Sequence, residues 1–360
     1  MSGRPMLTET RRRRLRLWLI VALAGVGVGI VYGAMVGLAQ DVRGGPWIGL
    51  GIGALVGVVH GGVIAGALGG FEIVWMRTRP GRRLAGASLP VLLLAKFAFY
   101  GTVILAVEVA QIGQGLVSVL LDRPVRDVPF GLTQWIGLLF SAVVTALFVL
   151  ALQIGRVVGA RHVGNLLFAR YHRPRIERRF FLFVDVVGST ELAERLGPVA
   201  FHRFLNAVFT AASEPVVEHG GDIYQYVGDQ MVVTWTAAAG ARDARAALCF
   251  FAVEDALAAR AARFERSFGA VPALRAALHF GDVVAGEIGD AKRDIVFHGD
   301  VMNATSRLEG LTRALGIRYL ASADAMAALP PHPRLAPRDL GEHNLRGRAA
   351  PLRVFAIDRR

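Results

Sequence analysis

Apolar and polar positions divide this chain into two halves with different rhythms. In the first half, apolar residues run on almost without polar interruption in four windows, roughly 15–38, 47–75, 88–110 and 131–155. Each is long enough to cross a bilayer, which takes about 20 largely apolar residues. From residue 180 onward, short apolar runs of strand length alternate with amphipathic runs of helical length, and charges are frequent. The pattern predicts a four-helix transmembrane domain over 1–155, a juxtamembrane linker over 156–179, and an α/β globular domain over 180–360, large enough for its own core.

Small residues recur every four positions in the first two windows: Gly25, Gly29, Gly33 and Gly37, then Gly49, Gly53, Gly57, Gly61, Ala65 and Gly69. Such stripes let helix backbones approach closely in lipid, either within one chain or across a dimer. Ionisable groups in hydrocarbon are costly and mark functional positions. Glu72 and Glu108 fall near span ends and are expected at the interface, whereas His60 and Lys96 lie deeper and are candidates for sensing. The signal would be a membrane ligand or a membrane-protein partner. With only one histidine in the spans there is no axial pair, and no haem is expected.

The chain carries 41 Lys and Arg against 28 Asp and Glu, a formal net charge of +13. Much of the excess has a local explanation. Arg11–Arg14 and Arg16 precede the first window, Arg77, Arg79, Arg82 and Arg83 separate the second from the third, and Arg156, Arg161, Arg170, Arg173 and Arg175 follow the fourth. The positive-inside rule then predicts a multi-pass protein of the cell membrane with both termini cytoplasmic and the lipid bilayer as a partner. No nucleic-acid reader motif is present, and no nucleic-acid partner is expected. The first apolar run is longer than a signal peptide's core and reads as a retained span. The single Cys249 excludes an intrachain disulfide and reads as a buried small apolar residue of a helix. The basic stretch "VGARHVGNLLFARYHRPRIERR" can touch anionic headgroups and is the covalent route between the halves, hence a transducer.

Chemistry-bearing residues concentrate in the second half. A buried strand, Phe180–Val184, ends in Asp185, and "GST" (Gly188, Ser189, Thr190) followed by Glu191 reads as a helix N-terminus whose backbone N–H groups can receive phosphate oxygens. The stretch "IYQYVGDQMVVTW" reads as a hairpin turning at Gly228-Asp229. Two neighbouring central strands would present Asp185 and Asp229 together. Close carboxylates repel unless a hard cation compensates, and Mg²⁺ held by carboxylates and substrate phosphates is the usual arrangement in phosphoryl chemistry.

Residues 178–357 resemble the class III nucleotidyl cyclases, on five ordered pieces: "FLFVDVVGST", "GGDIYQYVGDQMVV", "ALHFGDVVAGEIG", "HGDVMNATSRLEG" and "LRGRAAPLRVFAI". The resemblance implies a ferredoxin-like catalytic domain acting as a head-to-tail homodimer with composite active sites. It implies Asp185 and Asp229 as ligands of two Mg²⁺ or Mn²⁺ ions, assisted by the Val186 carbonyl. Asn303 would orient the ribose and Arg307 would stabilise charge on the α-phosphate, the two lying one helical turn apart, and Arg346 would lie near the terminal phosphates. The implied reaction converts ATP to 3′,5′-cyclic AMP and pyrophosphate.

Two positions depart from the family pattern. Adenylyl cyclases typically carry a purine-reading Lys where this chain has Gln225, and an Asp or Thr where it has Val296. Gln225 can still donate to and accept from a purine edge; Val296 cannot, unless a shifted register brings in Asp294 or His298. The expected function is therefore a membrane-anchored adenylate cyclase regulated through its membrane domain. The alternatives are a guanylate cyclase, or a catalytically weak cyclase-like module that binds nucleotide as a sensor.

Overall fold

Where described, the unbroken apolar runs fold as helices, in which backbone N–H and C=O groups pair within the segment. A computed structural model describes residues 7–39, 46–85, 87–120, 139–147, 150, 171–290, 293–345 and 350–360. The chain separates into two units, Met1–Ala160 and Arg161–Arg360.

The first unit contains α1 (Leu7–Ala39), α2 (Pro46–Gly69), α3 (Arg79–Ala85) and α4 (Leu89–Leu120). Two stretches, Leu15–Leu38 and Trp47–Val74, are long and apolar enough to cross a membrane. The third expected window falls within α4, whose apolar stretch is Leu94–Val107. Of the fourth, only 139–147 and 150 lie among the described residues; they are helical, and Phe140 stacks on Tyr32 at 4.3 Å.

The glycine stripes meet within one chain. A Cβ added to Gly29 would lie 2.0 Å from the Gly57 carbonyl oxygen, one on Gly33 2.0 Å from that of Gly53, and one on Gly37 2.1 Å from that of Gly49. The pairings run in opposite directions along the two helices, so α1 and α2 form an antiparallel hairpin with backbones in contact.

Glu72 corrects an expectation. Instead of reaching an interface it is buried (3% exposed) and paired at 2.5 Å with the equally buried Lys96 (1%), while the Tyr100 hydroxyl donates to it. The cause is local. After α2 the helix widens into a π turn, Gly70–Val74, an irregularity common at special positions. Glu72 lies within this turn, whose Phe71 clusters with Leu68, Met76, Leu92 and Tyr100. His60 bonds the Val56 carbonyl four residues back at 2.7 Å. The side chain of Glu108 lies outside the described residues.

The second unit is built on an eight-stranded sheet. In chain order its elements are β1 (Arg175–Val186), α5 (Ser189–Leu196), α6 (Pro198–Glu218), β2 (Asp222–Val227), β3 (Gln230–Thr236), α7 (Ala237–Ala241), α8 (Arg245–Ala258), α9 (Ala261–Phe268), β4 (Leu274–Ile288), β5 (Asp294–His298), α10 (Asp300–Leu315), β6 (Tyr319–Ser322), α11 (Ala323–Ala328), β7 (Leu335–His343) and β8 (Leu352–Arg359). The sheet order is β2-β3-β1-β4-β6-β8-β7, with β5 paired to β4. The first four strands pair antiparallel in the order β2-β3-β1-β4, and with their connecting helices they give the ferredoxin-like arrangement.

Strand β1 is buried on both faces, which is why it reads as a continuous apolar run. Phe180, Leu182 and Val184 pack with Phe204, Trp235 and Phe250 on one side. Phe181 and Phe183 pack with Val232, Val283 and Val301 on the other. Cys249 lies on helix α8 and is fully buried, and burial pushes its thiol far up, leaving it inert.

Gly57→Val should lower the melting temperature of the detergent-solubilised protein, an overpacking cost of about 1–3 kcal/mol. Gly51→Val, where an added Cβ meets nothing within 4 Å, should leave it nearly unchanged. Lys96→Leu should destabilise by about 3–5 kcal/mol by stranding a buried carboxylate, and the double variant Glu72→Leu/Lys96→Leu should recover most of that loss in the same melts.

Candidate active site

Register places the central carboxylate. On β1, Asp185 lies opposite Gln230 of β3 on one side and Arg275 of β4 on the other. Val227 pairs with Gln230, leaving Gly228 and Asp229 as a two-residue turn, and Gly228 takes the positive φ (+61°) the turn requires. Asp229 is thereby delivered next to Asp185.

The environment of Asp185 is unusual for a carboxylate. It is 6% exposed, and its pKa is raised from 3.8 to about 6. Burial is the main cause; the Arg275 hydrogen bond opposes it, and the charge of Asp229 and a hydrogen bond shared with it add to the rise. Arg275 donates through Nη2 to Asp185 and through Nε to Glu309 of α10 at 2.8 Å. Burial works against the charged guanidinium, but Asp185 and Glu309 outweigh it and raise its pKa.

Sequence reasoning missed Arg275 and Glu309. The available signal was a lone arginine in the apolar opening of β4, "LRAALHF": a charge inside a buried strand needs a partner.

Val186 ends β1 opposite Leu274, and Gly188, with φ +69°, caps α5, so Ser189 and Thr190 open that helix. Asn303 and Arg307 lie on α10, where four residues bring them onto one face. Glu309 lies about 200° around the helix from Arg307, at about 100° per residue. The Asn303/Arg307 face is therefore turned away from the side of α10 that reaches Arg275 and Asp185. Arg346 lies outside the described residues.

Gln225 reaches its face by an irregularity. Ile223 pairs with Val233 and Gln225 with Val232, so β2 carries a bulge between them. Simple alternation would put Gln225 on the same face as Ile223; the extra residue moves it to the face of Val232 and Asp185. Its neighbour Tyr224 packs on Phe297 of β5 at 4.9 Å, and Phe297 adjoins Val296. Val296, paired to Gly286, is half-buried and points to the other face of β5 from Phe297. His279 bonds Ser322 Oγ at 2.7 Å, a local structural contact, and His298 is exposed.

A profile of the family described as "Adenylate and Guanylate cyclase catalytic domain" matches residues 173–358. Adenylate cyclase 2 of Rhizobium meliloti (strain 1021) is 35% identical over 312 residues, covering 86% of this chain and 85% of that protein. An adenylate cyclase of Mycobacterium tuberculosis (strain ATCC 25618 / H37Rv) is 31% identical over 145 residues, 40% of this chain and 31% of that protein. Among solved structures, a bacterial light-regulated adenylyl cyclase shares the fold with a TM-score of 0.53 at 18% identity, over 61% of this chain and 64% of that one.

The raised pKa of Asp185 has a definite sign. Its neutral form is favoured in the fold, so the contribution to stability is full below the ordinary carboxylate value and is lost as pH rises through about 6. In chelator, chemical denaturation on either side of that pH should show a loss of up to about 3 kcal/mol, and Asp185→Asn should flatten it.

Proposed function

The chain belongs to the adenylate and guanylate cyclase catalytic-domain family and is a nucleotidyl cyclase; from that premise we propose that it is a membrane-anchored adenylate cyclase, converting ATP to 3′,5′-cyclic AMP and pyrophosphate in a homodimer. The observation that carries the reading is the Asp185–Asp229 pair, held together by β1 and the β2–β3 turn although burial and the neighbouring Asp229 oppose ionisation of Asp185.

A divalent cation site fits these residues. Both side chains offer hard oxygen donors, their repulsion is relieved by positive charge, and no cluster of three or more His, Cys, Asp or Glu occurs among the described residues, so phosphates and water would complete the coordination. When bound, two Mg²⁺ or Mn²⁺ ions would supply Lewis-acid activation of the ribose 3′-hydroxyl and neutralise the triphosphate. Asp185 and Asp229, with the Val186 carbonyl, would hold them. Arg275, tethered by Glu309, neutralises Asp185 and keeps a guanidinium beside the position of the phosphates. Backbone N–H groups of the first turn of α5, at Gly188, Ser189 and Thr190, would receive phosphate oxygens.

Asn303 and Arg307 orient the ribose and stabilise charge on the α-phosphate from the partner subunit. This assignment is supported by helix geometry: one chain's pair faces away from its own Asp185, so a second copy must complete each site. Arg346 would lie at the terminal phosphates. ATP is favoured over GTP by the relative's activity and by the Gln225 amide, which lies on the Asp185 face and can pair with the adenine edge.

Membrane anchoring is supported by the two span-length helices and by exposed apolar side chains such as Leu23, Leu55 and Leu94. The likeness to the Rhizobium cyclase is also longer than the family-matched stretch, so it extends beyond the catalytic domain. Four spans with both termini cytoplasmic complete this topology. Regulation would pass from the Lys96–Glu72 pair and His60 through the basic linker.

Purified full-length protein in lipid nanodiscs should form cyclic AMP and pyrophosphate from ATP with Mn²⁺, faster than cyclic GMP from GTP, and chelator should stop it. Asp185→Ala and Asp229→Ala should each cost about 100-fold or more in kcat. Mixing Asp185→Ala with Arg307→Ala subunits should restore about a quarter of wild-type activity, because half the random dimers hold one intact site. No product from either nucleotide would overturn the enzyme reading, and no recovery on mixing would overturn the composite site.

A further inference from the structure

Strands β2 and β5 lie on opposite sides of the β3-β1-β4 core. In a flat sheet they would stand four strand spacings apart, about 19 Å. Instead the β4–β5 hairpin folds back over the Asp185 face, and Phe297 reaches Phe181 at 5.6 Å and Tyr224 at 4.9 Å. The Phe297 backbone also hydrogen-bonds the Tyr224 hydroxyl.

One buried cation clasps this fold-over. The Arg179 guanidinium carbon lies 4.7 Å from the centre of the Phe297 ring. Arg179 is buried and donates to Glu177 at 2.9 Å, to Thr234 at 3.4 Å and to the Tyr171 hydroxyl at 3.4 Å. Tyr171 belongs to the incoming segment: its hydroxyl also reaches Glu177 at 3.2 Å, and its carbonyl accepts from Glu287 N–H at 3.0 Å. Every polar end of Arg179 is thus occupied by protein, leaving the planar face for the ring. The cluster uses none of the groups assigned to metal, ribose or phosphate.

We propose that Arg179 is a positioning residue for nucleotide recognition, bracing Phe297 so that the Phe297–Tyr224 contact sets the gap between the strands that carry Val296 and Gln225. Because Tyr171 shares the clasp, the segment leading into the catalytic unit sets the same gap and acts on nucleotide affinity. The inference rests on the base-contacting role proposed for Gln225. It separates binding from chemistry, since Asp185 and Asp229 are held by β1, β3 and their own turn rather than by β5.

The test is steady-state kinetics of the full-length protein with ATP and GTP. Arg179→Met should raise KM for ATP about tenfold, within the range of a cation–π contact, and narrow the ATP-to-GTP preference while kcat changes little. Phe297→Leu should do the same, and the double variant should be no worse than the more damaging single, because both act through one contact. Should Arg179→Met fail to fold, Arg179→Lys and Tyr171→Phe keep the packing and should shift KM in the same direction by a smaller factor. A fall in kcat at unchanged KM, or additive effects in the double variant, overturns the proposal. Gln225→Ala separates the two readings. If it alters KM or base preference and the Arg179 variants do not, the clasp is wrong; if it alters neither, the base-contacting role itself fails.

Discussion

The catalytic unit is organised around a carboxylate kept where it is least comfortable. Asp185 is buried at the end of the central strand, with Asp229 beside it and burial favouring its neutral form. Such a position persists only if the surrounding fold over-determines it. Antiparallel pairing to β3 and β4 fixes its neighbours on both sides, and the apolar residues that precede it are packed on both faces of the sheet. Among the described residues, Arg275 supplies the compensating charge, itself oriented by Glu309. In general, a carboxylate pair short of positive charge favours hard divalent cations.

The first unit solves a similar problem by different means. Helices α1 and α2 rely on close backbone contact, which only glycine permits at this distance. The same unit holds a buried ion pair: Glu72 and Lys96 are matched in charge, and Tyr100 occupies part of the carboxylate's remaining capacity. A buried pair of this kind contributes little net stability but is costly to break, which makes it a discriminating element rather than a strong one.

Much of this was legible in the residues. The period of the apolar positions separated span-like helices from strands, because the two structures repeat at different intervals. The Gly-Asp turn and the strand ending in Asp185 were readable because turn chemistry and an apolar run are local signals. Asn303 and Arg307 were readable as one helix face for the same reason. Arg275 and Glu309 were not, since 34 residues separate them and their pairing depends on how α10 lies on the sheet. Glu72 was misplaced because the π turn that turns it inward has no clear sequence signature.

Local signals in the residues carried the catalytic-unit strands and helices and the glycine stripes, and the order of the motifs carried the family. How distant parts meet depended on packing. It closed the glycine stripes within one chain, because the helix hairpin brings Gly29 against Gly57. It moved Gln225 to the Asp185 face through a bulge, since one extra residue reverses strand alternation. It also folded β5 over the sheet onto Arg179, a contact between Phe297 and a guanidinium more than a hundred residues earlier that no local pattern encodes.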